Sequence, residues 1–261
     1  MNLSLEGNNA AICGSTQGIG LAIAEELALL GANCTLIARN EDALKTAIQN
    51  LDVALRQQHQ YLIADFNKPD ELKKTMEAFV ENHKVHILVN NSGGPAAGPI
   101  TDATEEAFLN TFSQHLICNH ILTKAVVPSM KAEGYGRIIN IISTSVKIPL
   151  KNLGVSNTIR GAVASWAKTM ANELGQFNIT VNNVLPGFTA TQRLTSLIEN
   201  IAKKGNTVVG LIEQNMKAEV PMKRFADATE IAAVAAFLAS PAASYVNGVS
   251  IPVDGGRTGS I

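Results

Sequence analysis

Short apolar runs alternate along this chain with longer segments whose apolar residues return every three to four positions. The runs, near 10–13, 34–38, 60–64, 86–90, 137–142, 180–185 and 249–253, have the length of strands. The longer segments, near 18–30, 41–56, 70–83, 104–131, 154–174 and 227–239, have the period of helices. Regular alternation of the two predicts repeated βα units, an α/β class, and a doubly wound, mostly parallel sheet of seven strands. Thr104, followed by Glu105 and Glu106, is placed to cap a helix and give it an acidic first turn. The glycine- and proline-rich stretch 93–99 is too short to join domains and reads as a loop at a strand end. Segment 191–220 fits the alternation least and is expected to be a mobile cover over a ligand cleft. With no repeat and no low-complexity linker, residues 1–261 are read as one domain.

Strand, turn and helix follow without a gap at Gly14-Ser15-Thr16-Gln17-Gly18-Ile19-Gly20. Glycines at this spacing suit a turn that needs unusual backbone angles and lets a ligand approach the main chain. The following helix start would present unpaired N–H groups and the positive end of its dipole to a phosphate. A tight turn that binds nothing is the alternative for this motif taken alone.

Composition narrows the field of partners. The chain is 46% hydrophobic and 16% charged with a formal net charge of -1, so it lacks the electrostatic footprint of a nucleic-acid or membrane-surface binder. No basic region precedes an apolar core at the N-terminus, and no apolar run is long enough to span a bilayer, so a cytoplasmic location is expected. Cys13, Cys34 and Cys118 have no metal-like spacing, and the five histidines include only one His-x4-His pair, His115 and His120. No metal site is expected.

In sheets of this kind ligands bind beyond the carboxyl ends of the strands, where the winding reverses. The strand ends carry Arg39 and Asn40, Asp65 and Phe66, Asn90-Asn91-Ser92-Gly93, Ser143-Thr144-Ser145, and Pro186-Gly187-Phe188-Thr189. The order and spacing of these motifs resemble the short-chain dehydrogenase/reductase family, particularly its acyl-carrier-protein-reductase-type members. Gly136-Arg137-Ile138-Ile139-Asn140, Val181-Asn182-Asn183 and Tyr245-Val246-Asn247-Gly248, leading to Val253-Asp254-Gly255-Gly256, extend the resemblance over almost the whole chain.

The resemblance implies a Rossmann-type sheet in the order 3-2-1-4-5-6-7, a nicotinamide dinucleotide, and a homotetramer or homodimer joined through the helices at 104–131 and 154–174. It implies that Gly14 to Gly20 hold the pyrophosphate, Asp65 and Phe66 the adenine, and Asn91, Ser92 and Gly93 the adenosine ribose side. Thr189 and Thr191, after Pro186 and Gly187, would meet the carboxamide. NAD binders of this type place an acid where this chain has Ala38, which can neither accept from a ribose 2'-hydroxyl nor repel a 2'-phosphate. Arg39 beside it, with Ser15, Thr16 and Asn40 as neighbours, suits that phosphate, so NADP(H) is favoured over NAD(H).

The family's proton donor is the tyrosine of Tyr-x-x-x-Lys, thirteen residues after the serine. Counting from Ser143 gives Ser156, and the lysine position holds Arg160. Serine is a far weaker acid than a tuned phenol, and arginine keeps its proton at working pH, though it can still hydrogen-bond ribose hydroxyls. A third departure is His115, where the family usually has asparagine; imidazole titrates near neutrality, making His115 the candidate donor beside Ser143, with a structural role as the alternative. The expectation is an NADP(H)-dependent oxidoreductase acting on a small carbonyl or alcohol, similar to 3-oxoacyl reductases, with an altered proton donor. Two rivals share its cradle: a silent NADP(H)-binding sensor or subunit, and a nucleotide-dependent epimerase or lyase.

Overall fold

In the computed structural model, which describes residues 1–260, seven parallel strands lie in the order β3-β2-β1-β4-β5-β6-β7. They are β1 (Asn9–Cys13), β2 (Asn33–Ala38), β3 (Gln60–Ile63), β4 (Ile87–Asn90), β5 (Gly136–Ile141), β6 (Ile179–Pro186) and β7 (Ser250–Val253). Each predicted strand is present within two residues of its expected bounds. The central strands read as nearly continuous apolar runs because helices cover both faces of the sheet.

On one face α1 (Gly18–Leu29) packs against α9 (Ala228–Ala239), with Ala24, Ala28, Ala232, Ala235 and Ala236 buried in the same core as Ile12, Leu36 and Val89. Small side chains let these two helices approach each other and the sheet closely. The other face is covered by α3 (Pro69–Val80), α5 (Cys118–Glu133) and α6 (Gly154–Leu174), around Leu88, Leu122, Val126, Ile138 and Val181. Cys13, Cys34 and Cys118 are unpaired and buried within these cores, and burial pushes each thiol up to about 12. They are packing residues.

A line of polar side chains crosses the sheet interior. Asn90, Asn140, Asn183 and Ser250 are register partners on β4 to β7. Asn90 Nδ2 donates to Asn140 Oδ1 at 2.9 Å, Asn140 Nδ2 to Asn183 Oδ1 at 2.9 Å, and Asn183 Nδ2 to Ser250 Oγ at 3.0 Å. Slipping any one strand by a residue would bury these amides without partners, so the ladder fixes the register just below the strand ends.

Three expected elements differ from the pattern. The second helix, α2 (Glu41–Gln49), stops well before residue 56. Polar side chains hold the remainder as a loop: Gln57 Nε2 donates to Ala28 O at 2.7 Å, and His59 Nδ1 accepts from Cys34 N at 3.0 Å. The expected helix 104–131 is α4 (Glu105–Phe112), a π-helical segment Ser113–Ile117, and then α5. Thr104 caps α4 as expected, accepting from Ala107 N at 3.2 Å. Segment 191–220 folds as two helices, α7 (Gln192–Lys204) and α8 (Val209–Ala218). No helix among the described residues is long and apolar enough to cross a membrane.

Candidate active site

The winding reverses between β1 and β4, and the glycine turn leaves the sheet at that point. Gly14 and Gly18 have φ of +60° and +56°, which side chains disfavour. A Cβ on Gly20 would lie 2.1 Å from Gly14 O, and one on Gly14 would lie 2.8 Å from Asn91 O. Asn91 Nδ2 bridges the two strand ends, donating to Cys13 O at 3.2 Å and Gly14 O at 3.3 Å. The residue preceding α1, Gln17, makes no side-chain cap, whereas Asn40, Thr104 and Thr191 cap α2, α4 and α7. The first-turn amides of α1 therefore have no side-chain cap. Close approach to backbone, uncapped amides and a positive helix end together fit a pyrophosphate.

The neighbours of this turn divide into free and engaged groups. Ser15 is fully buried, and its Oγ accepts from Ile37 N at 3.1 Å, which ties the turn to β2. Asn40 Oδ1 is likewise engaged, by Ala43 N at 3.0 Å. Thr16 is half-buried and Gln17 exposed, while Ile19 packs on the core. Arg39 is exposed, and no ion pair among the described residues includes it. Asp65 accepts from Asn67 N at 2.9 Å and Asn67 Nδ2 at 2.7 Å. The Asn67 amide holds its carboxyl below the usual carboxylate range, helped by the charges of Arg39 and Lys68. Phe66 packs against the core, and its carbonyl accepts from Cys118 Sγ.

The other end of the cleft is assembled from β4, β5, α6, α7 and the π-helical segment. Ser143 Oγ accepts from Ser145 N at 3.1 Å, leaving its proton available to donate. Ser156 is half-buried in the first turn of α6. Asn157 Nδ2 donates to Leu150 O at 2.8 Å, tying the preceding loop to that turn. Arg160 is 9% exposed, and its Nη1 donates to Ile142 O at 2.8 Å and Ile141 O at 3.2 Å, across the end of β5. Burial and the nearby Arg193 charge push Arg160 down to about 10, so it remains cationic.

The π-helical segment turns His115 inward, where it is 3% exposed. Its Nδ1 pairs with Ser92 Oγ at 2.9 Å, and its Nε2 has no hydrogen-bond partner. Burial, then the Arg160 and Arg193 charges, push its pKa down to about 3 against an opposing pull from the Gly93 backbone. The ring is neutral at physiological pH. This departs from the expectation of an imidazole titrating near neutrality, because the sequence shows neither the burial of the ring, which is the main cause, nor the guanidinium charges that add to it.

Sequence reasoning missed Arg193. It lies on α7 and reaches across to the loop after β4, with Nη1 donating to Gly94 O at 3.1 Å and Nη2 to Pro95 O at 3.1 Å. Only the expectation that 191–220 covers a cleft pointed toward it. Thr191 begins the same helix and packs beside the glycine turn, its Cγ2 lying 3.3 Å from where a Gly18 Cβ would be. Thr189 is buried and bridges to Ala226, and Gly187 N donates to Val253 O at 2.9 Å after Pro186. Gly187 is needed there because a Cβ would meet Asp254 Cα at 2.7 Å. A separate hollow lined by Phe188, Met222, Arg224, Glu230 and Gly255 includes none of the residues expected to hold the cofactor.

Comparison with known proteins agrees with this architecture. The family model described as enoyl-(acyl carrier protein) reductase matches residues 14–258. The NADPH-dependent reductase BacG of Bacillus subtilis is 32% identical over 254 residues, covering 97% of this chain and 98% of its own. A tropinone reductase homolog of Arabidopsis thaliana is 32% identical over 257 residues, covering 98% of this chain and 91% of its own. The structure of L-sorbose reductase from Gluconobacter frateurii, complexed with NADPH and L-sorbose, superposes with a TM-score of 0.93 at 31% identity, covering 100% of both chains. Sheet order, glycine turn and full-length similarity agree: the chain belongs to the short-chain dehydrogenase/reductase family.

Proposed function

We propose that the protein is an NADP(H)-dependent oxidoreductase that interconverts a small carbonyl compound and its alcohol, similar to 3-oxoacyl reductases but with a remodelled proton donor. The observation that carries this reading is the strand-turn-helix cradle, with glycines a Cβ would fill and uncapped α1 amides. Arg39 at the end of β2 supports the 2'-phosphate form of the nucleotide, as do the NADPH dependence of BacG and the NADPH in the sorbose reductase complex. Bound in this cradle, the nucleotide would supply hydride to the substrate carbon.

The chain's own groups account for the remaining work. Asn91 holds the turn against β4, Asp65 and the backbone at Phe66 flank the adenine end, and Thr189 and Thr191 meet the carboxamide end. Ser143 donates a hydrogen bond to the substrate oxygen, while Arg160 offsets negative charge developing there. His115 acts as a neutral group that orients Ser92. The proton that completes the alcohol comes from water, because no phenol stands at position 156 and His115 is unprotonated. Helices α7 and α8 cover the substrate. Leu109, Phe112 and Ile117 remain exposed along α4 and the π-helical segment, which supports a homodimer or homotetramer contact on that face.

The same missing phenol and neutral His115 favour a second reading, a silent NADP(H)-binding sensor or subunit. Purified protein incubated with NADPH and a broad panel of carbonyl compounds separates the two. The oxidoreductase reading expects NADPH oxidation with at least one compound, and a loss of about a hundredfold in kcat for Ser143→Ala with NADPH binding retained. Tight binding with no turnover on any compound would favour the silent protein.

A further inference from the structure

Two guanidinium groups meet beside Gly94, and neither forms an ion pair among the described residues. A Cβ on that glycine would lie 2.7 Å from Arg193 Nη2 and 3.5 Å from Arg160 Nη2. Arg160 is largely buried, and among the described residues only its Nη1 makes hydrogen bonds, which leaves Nη2 open to a further partner. The partners that Arg193 does have, Gly94 O and Pro95 O, are neutral carbonyls, which hold a guanidinium less strongly than a charged acceptor would.

The surrounding chain deepens the imbalance. The stretches that carry or precede these arginines, 93–101, 143–160 and 186–198, contain no aspartate or glutamate, although Asp102 and Glu199 follow the first and the last. They do contain Lys147, Lys151, Arg160 and Arg193. Placing like charges together in a partly desolvated cleft is unfavourable unless an anion completes the site. The orphaned Nε2 of His115, within reach of both arginine charges, adds a polar atom that the protein leaves unpaired.

We propose that Arg193, assisted by Arg160, binds a carboxylate of the substrate, so that the protein acts on oxo acids or hydroxy acids rather than on neutral carbonyl compounds. This rests on the oxidoreductase reading above. A planar carboxylate matches the guanidinium fork, and it would take Arg193 over from Gly94 O and Pro95 O while α7 stays across the cleft. Arg193 is then a specificity-determining residue on the cover helix, and the Gly94 contact is its resting position.

Binding calorimetry tests this without requiring turnover. Acetate, butyrate and benzoate, each paired with its primary amide, are titrated into the protein alone and into its complex with NADP⁺. At least one carboxylate is expected to bind the complex about tenfold or more tightly than its amide. Arg193→Ala should abolish that preference, Arg193→Lys should restore part of it, and the affinity for NADP⁺ should be unchanged in both. Equal binding of acid and amide to the wild-type complex would overturn the proposal. So would loss of NADP⁺ affinity in Arg193→Ala matching the loss of carboxylate affinity, which would assign the anion to the cofactor's own phosphates. Absence of NADP⁺ binding would instead overturn the oxidoreductase reading, and the titrations on the nucleotide-free protein would still decide the role of Arg193.

Discussion

At the glycine turn this chain presents backbone to a ligand, while at the start of α6 it presents side chains, and the two ends respond differently to sequence change. The turn works through space and amide direction: Gly14, Gly18 and Gly20 are required because a Cβ would strike Gly14 O or Asn91, or would demand a disfavoured φ. Such a site has few alternative solutions, so its sequence is constrained. The α6 end works through charge and proton position, which different residues can supply. There the chain has Ser156 and Arg160 on α6, His115 is buried and neutral, and Arg193 enters from α7. A backbone site is kept or lost, whereas a side-chain site can be rebuilt.

Breaking the backbone end should give the largest effect. Gly20→Ala places a methyl group 2.1 Å from Gly14 O, so the turn must shift away from α1. NADPH affinity, read from quenching of protein fluorescence, should fall by about a hundredfold or more, roughly 2.7 kcal/mol. A variant that binds normally would show that the turn's shape is not what holds the nucleotide.

Rebuilding the side-chain end should have the next largest effect, and in the opposite direction. Ser156→Tyr with Arg160→Lys restores the phenol and ammonium of the family pattern. On the best substrate of the carbonyl panel, kcat should rise by about tenfold or more, with NADPH affinity within about threefold of wild type. An unchanged or lower rate would mean that the cleft's other changes, His115 and Arg193 among them, have made the site incompatible with a phenol.

The last expected effect concerns the pH response of the fold rather than the ligand. His115 is neutral down to about pH 3 when folded but protonates near the ordinary imidazole value of 6.5 when unfolded. Between those values the unfolded chain binds the additional proton, so acid destabilises the fold, by at most about 1.4 kcal/mol per pH unit from this residue. Stability from His115 is therefore complete above pH 6.5 and is lost as pH falls toward 3. Urea unfolding between pH 4 and 7 should show a shallower pH slope for His115→Asn than for wild type. Equal slopes would mean that the ring is protonated in the folded protein.

The difference between the two ends also explains what could be read before the structure. Strand positions and sheet order were legible, because a parallel sheet covered on both faces leaves nearly uninterrupted apolar runs. The glycine turn was legible for the reason given above. The premature end of α2 was not, since Gln57 and His59 hold that loop through bonds to Ala28 and Cys34, distant in sequence. The π-helical segment was equally hidden: its residues continue a helical period, and only the inward turn of His115 distinguishes it. At Ser15 and Asn40 the motif gave the location but not that Ser15 Oγ and Asn40 Oδ1 already accept from Ile37 N and Ala43 N. Arg193 lay in a segment recognised only as a poor fit to the sheet, and its reach to Gly94 depends on the helix that forms there. Chemistry carried by local backbone could be read along the chain, whereas chemistry made by side chains from five elements could not.

The central claim is that the glycine turn and Arg39 form a cradle for the phosphorylated nucleotide. It is tested most directly by titrating wild type and Arg39→Ala with NADPH and with NADH under identical salt. The account predicts saturable binding of both nucleotides, NADPH the tighter by about tenfold or more, with Arg39→Ala removing that preference and leaving NADH affinity unchanged. Equal loss for both nucleotides would contradict the assignment of Arg39 to the 2'-phosphate, and no saturable binding of either would contradict the cradle itself.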